Sequence, residues 1–214
     1  MDVVDKELRG APAALAQKML MPSFPVNLSL DGGTVVRTYA YDSADALALN
    51  EAVEQSREHL LPWMPWASQP SMTLEERLEL LATWIADERD THLGVFDPGG
   101  RVVAGVGMHD RNGPDEIEIG YWVRADSVRR GLATRISQEL TTFVFAHAPT
   151  INRVLIKHDV ANVASGRVPA RLGFVKVGEY PRQIEASGEQ GITCVWVMER
   201  AMWMTGSGTP GLSA

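Results

Sequence analysis

Cysteine is nearly absent. Cys194 stands alone among 214 residues, so no intramolecular disulfide can form and a cysteine-based zinc site has no ligand set. Its apolar neighbours make it a small buried side chain, and no metal is expected. Long apolar runs are missing as well. Charged or strongly polar residues break each one well short of the roughly 20 that a bilayer span needs, so no membrane partner is expected. The opening MDVVDKELRG has acidic residues where a secretory signal carries positive charge, and a cytoplasmic location is expected. Positive charge is in deficit: 20 Lys and Arg face 27 Asp and Glu, a formal net charge of −7. A protein that tracks phosphate backbones carries the opposite balance, so nucleic acid is not an expected partner. The P-loop pattern Gly-x-x-x-x-Gly-Lys-Ser/Thr is missing, which sets aside that class of nucleotide enzyme. No internal repeat is visible.

What remains is an ordinary globular composition, 45% hydrophobic and 22% charged. Residues 1–25 hold a short helical pattern around Ala14 to Leu20, closed by Pro22 and Pro25, and read as an appendage. Thr34 to Tyr39 reads as a strand. Asp42 or Ser43 then caps a helix to about His59, with Ala46, Leu49, Ala52 and Val53 on its apolar face. The two prolines of LPWMPW, Leu61 to Trp66, forbid regular helix there. Thr73 with Glu76 forms a capping box for a second helix running to about Arg89, striped by Leu74, Leu78, Leu81, Trp84 and Ile85. His92–Phe96 and Val102–Met108 flank the turn DPGG and predict a hairpin. Glu116 to Val123 is the next strand, with Ile117, Ile119, Tyr121 and Val123 on one face and Glu118, Gly120 and Trp122 on the other. A helix from Gly131 to Phe145, a strand Arg153–Val160, a helix Ala164–Leu172 ended by Gly173, and strands Val175–Tyr180 and Ile192–Glu199 follow. The closing TGSGTPGLSA is too small and polar to pack, and 201–214 is expected to be a flexible tail. This order predicts an α/β fold: one mixed sheet of about seven strands with helices on both faces.

The sharpest local feature is the strand-turn-helix Ile117 to Thr134, IEIGYWVRADSVRRGLAT. A helix amino terminus offers unpaired N–H groups and the positive end of its dipole, which suits a pyrophosphate. Gly131 lets backbone approach phosphate oxygens, Ala133 keeps the first turn narrow, and Arg129 and Arg130 add charge. The same residues also describe a solvated basic turn. Downstream, Asn162-Val163-Ala164-Ser165 precedes Arg171-Leu172-Gly173-Phe174; Asn and Ser here are equally good helix caps.

Together these segments resemble the acyl-CoA-binding motifs of the GNAT superfamily and, within it, the RimJ/RimL-like branch. In that branch a strand ending IGYW enters an Arg/Gln-x-x-Gly-x-Gly/Ala turn, followed later by Asn-x-x-Ser and a Leu-Gly-Phe helix end. LPWMPW resembles the same branch's segment between its first two helices. The likeness runs from about Thr34 to Arg200. Val128 departs from it, standing where the family has Gln or Arg. The resemblance implies a mostly antiparallel GNAT sheet over a domain of residues 26–200, and acetyl-CoA as cosubstrate without a metal. It implies an N-acetyltransferase that passes acetyl directly to a primary amine, on a protein N-terminus or a small molecule. A homodimer is compatible with it. The alternative is a GNAT-like domain that binds acyl-CoA as a sensor or scaffold and catalyses nothing.

By the same resemblance, Val123, Val128, Arg129, Arg130, Gly131, Leu132, Ala133, Thr134, Asn162 and Ser165 hold the cofactor. Ser165 also lies near the thioester sulfur, and Trp63 and Trp66 border the acceptor. Transfer needs a neutral amine, a donor for the developing oxyanion and a proton for the thiolate. Glu118, just upstream of the turn, is the first candidate base, with Glu116, His109 and Glu185 behind it. A backbone N–H near Trp122 to Arg124 is the oxyanion donor. Glu118 as an ion-paired strand residue, and the two tryptophans as core plugs, are the competing readings.

Overall fold

The computed structural model describes residues 26–206. Eight strands form one sheet in the order β1-β2-β3-β4-β5-β6-β8-β7. The strands are β1 (Asn27–Ser29), β2 (Val35–Thr38), β3 (Asp90–Phe96), β4 (Val102–His109), β5 (Glu116–Val123), β6 (Arg153–Asp159), β7 (Val175–Pro181) and β8 (Ile192–Glu199). Among the described residues five α-helices accompany them: α1 (Ser43–Leu60), α2 (Leu74–Ala86), α3 (Leu132–His147), α4 (Val163–Arg171) and α5 (Arg200–Met204). None of the described helices is long and apolar enough to cross a membrane.

The helix signals act as read. Asp42 accepts the Asp45 N–H at 2.8 Å, and Thr73 and Glu76 exchange both bonds of a capping box. Asp45 is then gripped by both nitrogens of Arg37 at 2.6 and 2.7 Å, which ties β2 to the first turn of α1. Apolar residues of β5 split between two cores. Ile117 and Ile119 join the larger cluster with Val154, Ile156 and Met198 of the sheet and Ile136 and Leu140 of α3. Trp122 packs on the smaller cluster built from α1, α2, Tyr39 and Phe96. Gly105 makes room for that indole, since a Cβ there would lie 2.3 Å from the Trp122 Nε1. Cys194 is buried in β8, as its surroundings suggest.

Four details differ from expectation. The sheet has eight strands rather than about seven, because the three residues of β1 are too few to show alternation. Helix α2 stops at Ala86, short of Arg89, where the Asp87 carboxylate turns to accept the N–H groups of Arg89 and Asp90. Ile85 is correspondingly exposed. Beyond β8 the chain continues as α5, and Met202 and Trp203 pack on the larger core, so ordered packing extends past residue 200. The helical pattern around Ala14 to Leu20 and the end of the tail lie outside the described residues.

The feature that positions the site is a break in the sheet. β5 and β6 run parallel and pair only through Glu116–Glu118 against Arg153–Leu155. Past that point β5 stays with β4 to Val123 while β6 stays with β8 to Asp159, so the two strands part. N–H groups alternate in direction along a strand. Arg124 donates its N–H to the Val103 carbonyl of β4 at 3.0 Å, so the N–H groups of Val123 and Tyr121 face the opening.

Candidate active site

Two cavities occupy the opening and meet at its centre. The first, about 550 Å³, runs along the end of β5 and the start of α3. The second, about 280 Å³, lies towards β6 and the connection between β7 and β8. Trp63, Met64, Tyr121, Asn162 and Ser165 border both.

The wall of the first cavity is a turn built for anions. Arg129, at φ 62°, is the one positive-φ residue other than glycine among the described residues, and Gly131 follows at φ 75° as the N-cap of α3. No side chain caps this helix. Among the described residues nothing accepts from the N–H groups of Leu132, Ala133 and Thr134. Successive N–H groups in such a left-handed turn, added to the helix dipole, form an anion cradle. A Cβ on Gly131 would meet no atom within 4 Å, so the space above the cradle is open to a phosphate group. Val123, Val128, Arg129, Gly131, Leu132, Ala133, Thr134, Asn162 and Ser165 all line this cavity. Arg130 does not: its guanidinium turns back to the Asp126 carbonyl at 3.1 Å. Arg167 and Arg171, one turn apart on α4, line the same cavity and fall outside the residues that the motifs mark. Their i, i+4 spacing, in a segment from 160 to 178 that holds no Asp or Glu, is the available signal.

At the junction the Tyr121 hydroxyl lies 3.0 Å from the Ser165 carbonyl, to which it donates, and 3.2 Å from the Ser165 Oγ. Burial pushes the Tyr121 phenol up to about 12, so it is a neutral donor at physiological pH. Tyr121 falls in the apolar set of its strand, and its hydroxyl is the one polar group in that row. Asn162 does cap α4, its Oδ1 accepting the Ser165 N–H at 3.1 Å, and it borders both cavities as well. Cap and site residue are here the same side chain.

The second cavity is rich in charge, and each carboxylate in it is occupied. Glu118 accepts from Arg111 at 2.7 Å, from Asn112 at 3.1 Å and from Lys157 at 3.0 Å. Burial alone would raise its pKa, but the Arg111 and Lys157 charges outweigh burial and bring it down to about 2. Asp159 accepts four backbone N–H groups, from Ala161, Gln190, Gly191 and Ile192, between 2.9 and 3.2 Å. Glu189 pairs with Arg182 and accepts the N–H groups of Glu185 and Ala186 at 2.8 and 3.1 Å. Of the secondary base candidates, Glu116 pairs with Arg153 at 2.7 Å and His109 sits 2.8 Å from Asp90. Glu185 faces Arg182 at 3.6 Å. Neither cavity is lined by any of the three.

The two tryptophans part company. Trp63 stands where the cavities meet, whereas Trp66 makes an edge contact with Trp122 at 6.0 Å and lines neither. The LPWMPW loop is held by Arg57, which donates to the Ala67 and Gln69 carbonyls at 2.7 and 2.5 Å. Across the opening the Gly188 N–H donates to the Pro62 carbonyl at 2.9 Å, joining this loop to the β7–β8 connection.

Asp159 pins that connection to β6, and its pKa follows. Burial would raise it, but the four N–H groups hold it below the ordinary aspartate value. A depressed folded pKa stabilises the fold above the unfolded value of about 3.9, and the contribution fades as pH falls through the lower folded value. Asp159→Asn is therefore expected to lower the melting temperature at neutral pH and to lessen the difference from wild type below about pH 4. Melting curves across pH check this; a constant difference would mean the carboxylate charge is not what holds the loop.

Comparison with known proteins agrees with this geometry. The family model described as an acetyltransferase (GNAT) domain matches residues 35–175. The chain belongs to the GNAT acetyltransferase family and is an acetyltransferase. Its relatives narrow this to the RimJ/RimL-like branch. A Bacillus subtilis (strain 168) protein named "Putative ribosomal N-acetyltransferase YdaF" is 30% identical over 142 residues, covering 63% of this chain and 75% of that protein. Among solved structures, RimL, a ribosomal L7/L12 alpha-N-protein acetyltransferase in complex with coenzyme A, superposes with a TM-score of 0.70 at 19% identity, covering 81% of this chain and 98% of that one. Mycobacterium smegmatis RimJ, in complex with a CoA disulfide, gives 0.69 at 18% identity, over 86% and 94%. At such identities the structural likeness shows the fold.

Proposed function

We propose that the protein transfers acetyl from acetyl-CoA, bound in the first cavity, to the α-amino group of a polypeptide entering the second. The observation that carries this reading is the meeting of the two cavities at Tyr121 and Ser165, between an anion cradle and a chamber whose carboxylates are all occupied. The cradle at Arg129 to Thr134 holds the pyrophosphate, and Arg167 and Arg171 add charge beside it. The Val123 N–H faces the opening and receives the developing oxyanion. Ser165, with Tyr121 behind it, donates a hydrogen bond to the departing sulfur.

The charge pattern of the second cavity supports an α-amine. A site that binds ammonium ions offers an unpaired carboxylate; here Glu118, Asp159 and Glu189 each have at least three donors already. Glu118 at about 2 is also a poor base for an amine, lying about six units below an α-amino group. The acceptor must therefore arrive neutral. Near pH 7.5 about one α-amine in three is neutral, against about one lysine side chain in a thousand. The names of two relatives, "Putative ribosomal N-acetyltransferase YdaF" and RimL as an alpha-N-protein acetyltransferase, support the same acceptor class.

The expected result is that kcat/KM rises with pH through the acceptor's own pKa. Two peptides whose amino groups differ in pKa should then show limbs displaced by that difference. A single acid limb at the same pH for both peptides, with none that follows the acceptor's pKa, would return a protein base to the mechanism.

A further inference from the structure

His158, on β6 beneath the start of α4, has both ring nitrogens engaged. Its Nδ1–H donates to the Asp159 carbonyl at 2.7 Å, and its Nε2 accepts the indole N–H of Trp196 at 3.0 Å. The two rings are tilted by only 27°, so the indole N–H meets the imidazole lone pair near its own plane. One tautomer alone satisfies this pair of bonds: Nδ1 protonated, Nε2 bare. Directly above lies Gly166, where a Cβ would come within 2.8 Å of the ring. The first turn of α4, which carries Asn162 and Ser165, therefore rests on a neutral imidazole fixed in orientation.

We propose that His158 is the positioning residue for Ser165, and that its protonation, by setting Nε2–H against the Trp196 N–H, unseats the first turn of α4 and separates Ser165 from the reacting sulfur. Two donors cannot share that contact, so the ring must turn or the indole must withdraw. With no Cβ on Gly166 to act as a spacer, a turned ring meets the helix backbone. The charged groups facing the ring are Lys176 on β7, which opposes its protonation, and Asp159 on its own strand, which favours it. Its cross-strand neighbour on β8 is the buried thiol of Cys194. Burial is the largest influence and lowers the imidazole pKa. The inference rests on the role given to Ser165 above.

The test is Trp196→Phe, which removes the indole N–H while keeping an aromatic ring. The free Nε2 should raise the His158 pKa, seen in the NMR titration of its ring protons. The pH below which kcat declines, at saturating substrates, should move up by the same amount. At pH 7 kcat should fall several-fold, with KM for acetyl-CoA within about 2-fold of wild type. Adding Ser165→Ala to Trp196→Phe should then cost little more than Ser165→Ala alone. An unmoved His158 titration, or losses that multiply in the double variant, would overturn the proposal. Full kcat in Ser165→Ala would instead remove the role given to Ser165, while the NMR titration continues to judge the His158–Trp196 contact.

Discussion

Gly131→Val should weaken acetyl-CoA binding by at least about 30-fold while leaving the protein folded. At φ 75° Gly131 holds the left-handed conformation that turns the first N–H groups of α3 towards the cavity. Valine in that conformation is strained by about 1 to 2 kcal/mol and relieves the strain by leaving it, which turns the N–H groups away. Its side chain also projects into the open space that the phosphates need. No neighbour lies within 4 Å of the new Cβ, so the unliganded fold has room for it and the loss appears in binding. Calorimetry on a variant with a normal far-ultraviolet spectrum reads the effect. Affinity equal to wild type would remove the cradle from the account.

The second large effect is expected at the junction. Ser165→Ala and Tyr121→Phe should each lower kcat by about 10- to 1000-fold, with KM for acetyl-CoA within a few-fold. A hydrogen bond to sulfur strengthens only as negative charge develops there, so its loss shows in the transition state. Because the Tyr121 hydroxyl touches both the carbonyl and the Oγ of Ser165, the two residues act together. The double variant should therefore fall well short of the product of the single losses. Steady-state kinetics decides it. Unchanged kcat in Ser165→Ala would reduce this serine to a residue of the first turn of α4.

Much of this arrangement was legible in the chain. The capping box at Thr73, the DPGG hairpin and the alternation of Glu116 to Val123 are local signals, complete within a few residues. Gly131 was legible for the same reason, since its meaning depends only on the strand before it and the helix after it. What stayed hidden depends on partners brought together by the fold. Tyr121 and Ser165 are 44 positions apart, and an alternating strand marks Tyr121 only as facing the apolar side. The ion pairs of Glu118 are hidden because nothing adjacent names Lys157 across the β5–β6 split, or shows Arg111 folding back onto it. Trp63 and Trp66 share one loop and one composition. Only the position of Trp122 over Gly105 draws Trp66 away from the cavity. Arg129 and Arg130 are neighbours of the same type, yet only the first lines the first cavity, because the left-handed turn between them and α3 sends the second towards Asp126.

Transfer of acetyl from the first cavity to a neutral α-amine in the second is the expected reaction. Its most direct measurement is mass spectrometry of the products from one peptide in two forms, incubated with the protein and acetyl-CoA near neutral pH. One form has a free amino terminus together with an internal lysine; the other has its amino terminus blocked. A single acetyl group is expected on the α-amine of the first peptide and none on the second. Acetylated lysine in both peptides, or no product from either while acetyl-CoA binds tightly, would contradict it.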